Sequence, residues 1–275
     1  MTLARLIPVA TAAFLLCTGP GATQSVSGID RLYVLDCGWA HAADQSRWSP
    51  GVNVGMPIDV SDNCYLIHHA QDGYLLWDTG VTDAVAATAE GVSMLNGAMV
   101  WHRPKTLIAQ LAAVGVKPDD IRYLGVSHTH PDHVGNVELF PKATVLIQKA
   151  EYDWAFTLPT PPFSAAHPVM KLEGDKDVFG DGSAIILSTP GHTPGHESLL
   201  LHLPKTGWIV LSGDVAHFKD NWDNRRVPGF NADKEKSLAS MQRIADILAE
   251  HHAQLWINHD KPQSDQQRHA PEYYE

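Results

Sequence analysis

Three histidines and an aspartate lie within six positions of the segment VSHTHPDHVGN, which runs from Val126 to Asn136. Histidine is the commonest protein ligand for zinc, and carboxylates join it at catalytic zinc sites. The four side chains are His128, His130, Asp132 and His133. A tetrahedral zinc ion accepts about four ligands, and a catalytic zinc keeps one position for water. The segment therefore predicts a metal site, and its density of ligands favours two neighbouring metal ions.

Three later loops contain further candidate ligands, each after an apolar run that is typical of a strand. His192 follows the run 184–187, Asp214 follows 208–211, and His259 follows 254–257. Loops at strand ends carry functional residues in layered α/β proteins, so we expect these side chains to meet those of the first segment. Asp214 could bridge two cations with its two carboxylate oxygens.

Short apolar runs bounded by turn residues indicate a layered α/β fold. They predict strands at residues 32–35, 64–67, 74–77, 123–126, 143–147, 184–187, 199–203, 208–211 and 254–257. The Asp72-Gly73 pair predicts a hairpin between the second and third strands. Helices are predicted over residues 104–114 and about 233–251, where apolar side chains recur at helical spacing. Residues 38–59, much of 81–103 and 158–163 are predicted to be loops.

Size and charge restrict the possible partners. The chain has 275 residues, which is enough for a full core, and no linker divides it into two cores. Its 31 acidic and 20 basic residues give a formal net charge of -11. Phosphate binding needs a basic surface, so nucleic acid and anionic lipid are not expected as partners. Most acidic side chains are expected on the solvated surface.

Residues 1–24 are predicted to form a signal peptide. Arg5 precedes the apolar run 6–17, and small residues follow over 18–25. A buried helix or a membrane anchor is the alternative, but the run is too short to span a bilayer and Pro8 interrupts it. We therefore expect residues 25–275 to form the single domain of an exported protein, periplasmic or secreted, without a membrane span.

Two cysteines remain after removal of the predicted leader, Cys37 and Cys64. In an oxidising compartment they could form one disulfide. Both fall in or beside predicted strands, so two buried thiols are equally compatible with their positions. Their spacing leaves both alternatives open.

The order of the motifs resembles that of the metallo-β-lactamase superfamily. The likeness rests on His-x-His-x-Asp-His at 128–133, Pro-Gly-His at 190–192, Gly-Asp at 213–214 and the late His259, and it covers about residues 30–260. It implies an α/β fold of the αββα sandwich type, with the metal ions held by loops. The ligand sets that it implies are His128, His130 and His192 for one zinc ion, Asp132, His133 and His259 for the other, and Asp214 as the bridge.

Within that superfamily the chain is most similar to the N-acyl homoserine lactonases, the quorum-quenching enzymes, and among them to the exported members. LYVLDCG at 32–38, NCYLI at 63–67, DTG at 78–80 and INHD at 257–260 carry this likeness. It implies two Zn²⁺ ions per chain and an N-acyl homoserine lactone as the small-molecule substrate. The chain departs from many members at His217, which stands where they have a tyrosine. An imidazole can also donate a hydrogen bond, so His217 is expected to replace that contact.

The predicted chemistry is hydrolysis of the lactone ring. Two metal ions about 3.5–4 Å apart lower the pKa of bound water to about 7, so a hydroxide between them would attack the ring carbonyl. Asp132 would pass a proton to the leaving alkoxide as general acid, and His217 would steady the carbonyl oxygen. No Gly-x-Ser-x-Gly elbow is present, and this mechanism needs no serine nucleophile.

Three other functions remain compatible with the ligand pattern. The first is another dinuclear hydrolase of the superfamily, acting on organophosphate or aryl esters, thioesters or β-lactams. The second is a di-iron redox protein, although that branch usually carries a glutamate where His130 stands. The third is a metal-binding module without catalysis, which the presence of every candidate ligand disfavours. The sequence also leaves a monomer and a homodimer open.

Other histidines and several tryptophans have less specific predictions. His196 is expected to support the site rather than to bind metal. Surface or packing roles are expected for His68, His69, His251 and His252. The side chains that could either line an apolar acyl pocket or pack in the core are Trp48, Trp101 and Trp154.

Overall fold

The computed structural model describes residues 28–275, and the predicted signal peptide lies outside the described residues. Within this range the chain forms two β-sheets. The strands of the larger sheet are β1 (Ile29–Ala42), β2 (Ile58–His69), β3 (Gly73–Trp77), β4 (Val92–Met94), β5 (Met99–His102), β6 (Ile121–Gly125), β7 (Thr144–Gln148) and β8 (Val169–Leu172). They lie in the order β4-β5-β1-β2-β3-β6-β7-β8.

The smaller sheet is formed by the second half of the chain. Its strands are β9 (Lys176–Asp177), β10 (Ala184–Ser188), β11 (Glu197–Leu203), β12 (Gly207–Leu211) and β13 (Gln254–Trp256), in the order β13-β12-β11-β10-β9. The helices of residues 28–275 are α1 (Leu107–Ala113), α2 (Pro131–Val134), α3 (Lys149–Ala155), α4 (Lys219–Asn224), α5 (Lys234–His251) and α6 (Lys261–Ser264). Among these helices none has the length and apolar character needed to cross a bilayer.

Four layers follow from the packing of these elements. Buried side chains of both sheets, among them Trp77 and Ile209, form a core between the sheets. Leu107 of α1 packs into a second core on the outer face of the larger sheet, and Met241 of α5 packs on the outer face of the smaller one. Removing this apolar surface from water is the main stabilising contribution to such layers. The predicted αββα sandwich is confirmed.

All nine predicted strands are present, but the loop predictions for residues 38–59 and 81–103 are partly wrong. β1 continues to Ala42 and β2 begins at Ile58, and the two strands pair over this whole length across a bulge between Asp36 and Gly38. β5 then pairs with the far end of β1, and β4 pairs with β5. Strands of three or four residues have too little periodicity to be recognised without their partners.

Local signals predicted the turns and helices well. β2 and β3 form the antiparallel hairpin expected at Asp72-Gly73. The side chain of Asp233 caps α5 by accepting a hydrogen bond from the backbone of Lys236 (2.9 Å). α1 begins at Leu107 rather than at residue 104, because the hydroxyl of Thr106 caps it. Residues 158–163 contain no helix or strand, as predicted.

Cys37 and Cys64 form a disulfide between the neighbouring strands β1 and β2, with their Cα atoms 5.7 Å apart. Both residues are fully buried. The strand register places Leu35 opposite Cys64. Cys37 lies in the bulge between Asp36 and Gly38, close enough to Cys64 to form the bridge. Of the two alternatives left by the sequence, the structure therefore contains the bridge.

Candidate metal centre

The candidate ligands lie in four loops at the ends of strands that belong to both sheets. β6 of the larger sheet ends at Gly125 and leads into the histidine-rich segment, within which Pro131 begins the short helix α2. In the smaller sheet, β10, β12 and β13 end just before the loops that carry His192, Asp214 and His259. The site therefore lies where the carboxyl ends of strands from the two sheets meet.

The first ligand set comprises His128, His130, His192 and Asp214, whose ligand atoms all lie within 4.8 Å of one another. His130 Nδ1 is 2.9 Å from His128 Nε2 and 3.0 Å from His192 Nε2. Three imidazole nitrogens and one carboxylate oxygen around a common centre match the donor set that zinc prefers.

The second ligand set comprises Asp132, His133 and His259, again with ligand atoms within 4.8 Å of one another. Asp214 lies between the sets: its Oδ1 is 3.4 Å from His133 Nε2 and 3.1 Å from His259 Nε2. Its Oδ2 is 3.3 Å from His192 Nε2. One oxygen of Asp214 therefore faces each set, as a bridging ligand requires.

Two buried atoms of the centre form no hydrogen bond with any of the described residues. His133 Nε2 and Asp214 Oδ1 are buried and form no hydrogen bond within residues 28–275. A buried polar atom without a partner costs free energy, so such atoms in a native protein usually bind water or an ion. The residues present thus fit a pair of divalent metal ions in composition, spacing and burial.

Burial and neighbouring charges favour the metal-binding forms of Asp214, His128 and His192. Burial would raise the pKa of Asp214, but His259 and the other surrounding histidines outweigh burial and hold that pKa well below its ordinary value. Burial lowers the pKa of His128 and His192 well below 6.5. The carboxylate is therefore ionised and these two imidazoles are neutral, as ligation requires.

Hydrogen bonds behind the second set orient its two imidazoles. His133 Nδ1 lies 2.9 Å from Oδ2 of Asp78, and Oδ1 of Asp78 accepts a hydrogen bond from the backbone N–H of Ser127 (2.7 Å). His259 Nδ1 donates to the carbonyl of Ser61 (2.6 Å). With Nδ1 occupied, Nε2 of each ring is the atom directed at the centre.

His196 supports the centre from behind Asp214. Its Nδ1 donates to the carbonyl of Thr189 (3.0 Å), and its Nε2 accepts from the backbone N–H of Asp214 (2.7 Å). Gly213 has a positive φ of 50°, and a Cβ there would lie 2.7 Å from His196 Nε2. His196 belongs to neither ligand set, in line with its expected supporting role.

His217 lies beside the centre but outside both ligand sets. Its Nε2 is 3.1 Å from Asp214 Oδ2, and its Nδ1 is buried without a hydrogen-bond partner among the described residues. Trp48 and Phe230 contact its ring, at 6.1 Å between centroids in each case. The position predicted from sequence to contact a substrate therefore borders the metal ligands.

A cavity of about 350 Å³ opens above the centre. Its polar lining includes His130, Asp132, Asp214, His217, His259 and Arg47, and its apolar lining comprises Trp48, Val60, Val81, Pro131, Met94, Leu95, Met99, Trp101 and Phe230. Trp48 and Trp101 therefore line the cavity, which was one of the two roles expected for them. Trp154 lies on α3 and does not line this cavity.

Sequence reasoning missed the roles of the supporting residues. Asp78 could have been found, because it is a polar residue directly after β3. Ser61 acts through its backbone carbonyl, for which no side-chain signal exists. Asn231, whose Oδ1 lies 2.9 Å from His192 Nδ1, belongs to a loop distant in sequence from its partner.

Comparison with known proteins agrees with this fold. The family model of the metallo-beta-lactamase superfamily matches residues 57–250, and the chain belongs to this superfamily. An N-acyl homoserine lactonase, AttM of Azorhizobium caulinodans, is 33% identical over 268 residues, which cover 89% of this chain and 98% of the relative.

Solved structures of N-acyl homoserine lactone hydrolases show the same architecture. A variant of Bacillus thuringiensis AiiA with N-decanoyl-L-homoserine at its active site superimposes with a TM-score of 0.80 at 27% identity, covering 90% of this chain and 100% of that one. Another such hydrolase, with the product N-hexanoyl-L-homoserine bound at its catalytic metal centre, gives a TM-score of 0.78 at 26% identity, covering 90% and 100%.

Proposed function

We propose that this protein is a dinuclear zinc hydrolase that opens the lactone ring of N-acyl homoserine lactones. The observation that carries the proposal is the meeting of two ligand sets across Asp214 at the base of a largely apolar cavity. A metal centre supplies the hydrolytic chemistry, and an apolar cavity next to it suits an acyl chain. The curated relatives with this fold are N-acyl homoserine lactonases.

The proposed metal ligands are those of the two sets. His128, His130 and His192 would hold one Zn²⁺, Asp132, His133 and His259 the other, and Asp214 would bridge both. When bound, the zinc pair would lower the pKa of a water molecule to about 7 and polarise the lactone carbonyl. The protein contributes the fixed positions of the ligand atoms and a partly enclosed cavity around them.

Asp132 is the residue best placed to move a proton. Its side chain is 22% exposed, lines the cavity, and has Oδ2 3.9 Å from His259 Nε2. We assign it the transfer of a proton to the alkoxide oxygen that leaves when the ring C–O bond breaks. His217 would donate a hydrogen bond to the carbonyl oxygen as negative charge develops there.

The apolar walls of the cavity suit the acyl chain of the substrate. Trp48, Met99 and Trp101 are nearly fully buried and line it, while Leu95 and Phe230 are exposed at its rim. A methylene group removed from water contributes about 0.8 kcal/mol, so the acyl chain would increase the affinity for the substrate without contacting the metals.

We infer further that the protein is exported. The n-region, apolar run and small residues of positions 1–25 support cleavage after about residue 24. A buried disulfide agrees with an oxidising compartment, since disulfides are rare in the cytosol. N-terminal sequencing of the protein purified from the periplasm or medium would test this, and an uncleaved amino terminus would contradict it.

Metal analysis coupled to a pH-stat assay tests the catalytic proposal. Ring opening releases an acid, so proton release should follow addition of short- and long-chain N-acyl homoserine lactones to protein that holds about two zinc ions. His128→Ala should abolish both the binding of two zinc ions and lactone turnover. His202→Ala, at an exposed position of β11, is the matched control and should leave both unchanged.

Two results would contradict the catalytic proposal. Full activity of the metal-free protein would exclude the metal centre as its source. Preferential turnover of a paraoxon-type ester, a thioester or a β-lactam would assign the same centre to another hydrolase activity of the superfamily.

A further inference from the structure

Glu151 is a fully buried carboxylate in the first turn of α3, outside both ligand sets. Its Oε1 accepts hydrogen bonds from the backbone N–H (2.9 Å) and the hydroxyl (2.8 Å) of Thr129. Its Oε2 accepts from the backbone N–H of Gly195 (2.9 Å). A carboxyl group buried at this depth needs hydrogen-bond partners, and these three donors provide them.

The two partners of Glu151 belong to the two loops that carry the three histidines of the first ligand set. Thr129 stands between His128 and His130, and Gly195 lies three residues after His192. The second loop also packs closely on α3: a Cβ at Gly195 would lie 2.3 Å from the backbone nitrogen of Glu151. One carboxylate thus connects loops that come from different sheets and whose histidines must converge on one centre.

The second ligand set has supports of its own. His133 is held by Asp78, and His259 by the carbonyl of Ser61. Within residues 28–275 the side chain of Glu151 forms hydrogen bonds only with Thr129 and Gly195. Ser127 Oγ lies 3.1 Å from Nδ1 of both His128 and His133 and so touches both sets, whereas the contacts of Glu151 reach only the loops that carry the histidines of the first set.

We propose that Glu151 is a positioning residue for the first metal position, selectively over the second. By fixing the distance between the two loops, it would set the convergence of His128, His130 and His192, and hence the affinity of that position for metal. This inference rests on the metal pair of the proposed function. Loss of a residue that orients metal ligands typically lowers metal affinity about 10–100-fold.

Replacement by glutamine isolates the connection between the loops. Glu151→Gln keeps the shape of the side chain but replaces one acceptor oxygen by an NH₂ donor. The amide can accept from Thr129 or from Gly195, but it then presents its NH₂ group to the N–H of the other loop. Either orientation breaks the connection and leaves the packing of α3 in place.

Competition with a chelator tests the selectivity. The chelator concentrations at which the wild type releases its first and its second metal serve as the reference. In Glu151→Gln, one metal per chain should be released at an about 10–100-fold lower chelator concentration, while the release of the other is unchanged. Asp153→Asn, an exposed carboxylate two residues further along α3, is the matched control and should behave as the wild type.

A second variant keeps the inference testable should Glu151→Gln fail to fold. Thr129→Val removes only the hydroxyl donor and preserves the backbone hydrogen bond to Glu151. We expect a smaller shift for the same metal. An unchanged release curve in both variants, or in Thr129→Val when Glu151→Gln does not fold, would overturn the inference, as would equal weakening of both metals.

Amide hydrogen exchange of the metal-free protein provides a readout that does not depend on metal or on lactonase activity. If Glu151 joins the loops, the backbone amide of Thr129 or of Gly195, whichever loses its acceptor oxygen, should exchange faster in Glu151→Gln than in the wild type. Unchanged exchange at both amides would refute the connection itself. A wild type that binds two metals but lacks lactonase activity would instead refute only the proposed substrate.

Discussion

Asp214 links the chemistry of the two ligand sets at the scale of single residues. Its oxygens lie 3.1 Å from Nε2 of His259 on one side and 3.3 Å from Nε2 of His192 on the other. Its backbone is held by His196, and its Oδ2 is also 3.1 Å from His217. One carboxylate therefore couples the two metal positions, a supporting histidine and a residue that borders the cavity.

Replacement of His217 tests its assigned hydrogen bond to the substrate. His217→Phe should lower kcat about 100-fold, because removal of one donor to a developing oxyanion typically costs that much. His217→Tyr restores a donor and should keep kcat within about 10-fold of the wild type. Both kinetic constants and the metal content of each variant are to be measured, since His217 is close to Asp214. A His217→Phe enzyme with full metal and unchanged kcat would exclude this role.

The pH dependence of stability tests the buried state of His196. Burial is the main cause that lowers its pKa to about 4 in the folded protein, against an ordinary value of 6.5. Below pH 6.5 the unfolded chain therefore takes up the proton first, so the contribution of this residue to stability is present at neutral pH and is lost as the pH falls towards 4. The contribution amounts to about 3 kcal/mol in total.

Metal-free wild type and His196→Gln are the proteins to compare by urea unfolding. The difference between their free energies of unfolding should shrink as the pH is lowered from 7 to 4. A difference that stays constant or grows over this range would show that His196 is not held neutral in the folded protein.

At the scale of the elements, strands of both sheets supply the ligands, and buried polar contacts hold the loops in place. Arg103, directly after β5, is an example: its side chain is fully buried and forms an ion pair with Asp83 (2.9 Å). It also donates to the carbonyl of Cys37 (2.8 Å) and to that of Val81. Arg103 thus connects β1 with the loop whose Val81 lines the cavity.

Removal of this guanidinium should loosen that wall of the cavity. Arg103→Met removes the ion pair with Asp83 and the hydrogen bonds to the carbonyls of Cys37, Val81 and Lys105, and we expect a loss of about 3–5 kcal/mol in the free energy of unfolding. Arg122→Met, which breaks the exposed pair with Asp72, is the matched control and should cost less than about 1 kcal/mol. Urea unfolding measures both, and equal losses would contradict a special role for the buried arginine.

At the scale of the whole molecule, the metal centre joins the two halves of the sandwich. The segment with His128 and His133 follows β6 of the larger sheet, whereas His192, Asp214 and His259 follow strands of the smaller one. Each ligand set contains residues from both. Bound metal would therefore oppose separation of the sheets, in addition to the apolar core between them.

Metal removal should therefore lower the melting temperature of the whole domain in one step. An ion at 1,000 times its dissociation constant stabilises the folded state by about 4 kcal/mol, which corresponds to roughly 8–16 °C for a domain of this size. Differential scanning calorimetry with and without chelator measures the shift. His128→Ala should show a smaller shift, and an unchanged melting temperature in the wild type would contradict a metal contact between the sheets.

The sequence alone was sufficient wherever the signal is local. Four ligands within six residues, and three more directly after apolar runs, can be recognised because strand periodicity and ligand chemistry need no knowledge of distant partners. The nine strands, helix α5 and membership of the superfamily could be predicted for the same reason. The assignment of His128 to one zinc and His133 to the other remains a prediction, which the observed grouping of the ligand atoms supports.

Only the tertiary structure decided the features that depend on pairing between distant segments. The register of β1 on β2 brings Cys37 to Cys64, and β5 exists because the extended end of β1 offers it a partner. Glu151 is an acidic side chain of the kind expected on the solvated surface, yet it is buried between two loops. Such contacts are selected by the free energy of the folded arrangement, which no local pattern of residues contains.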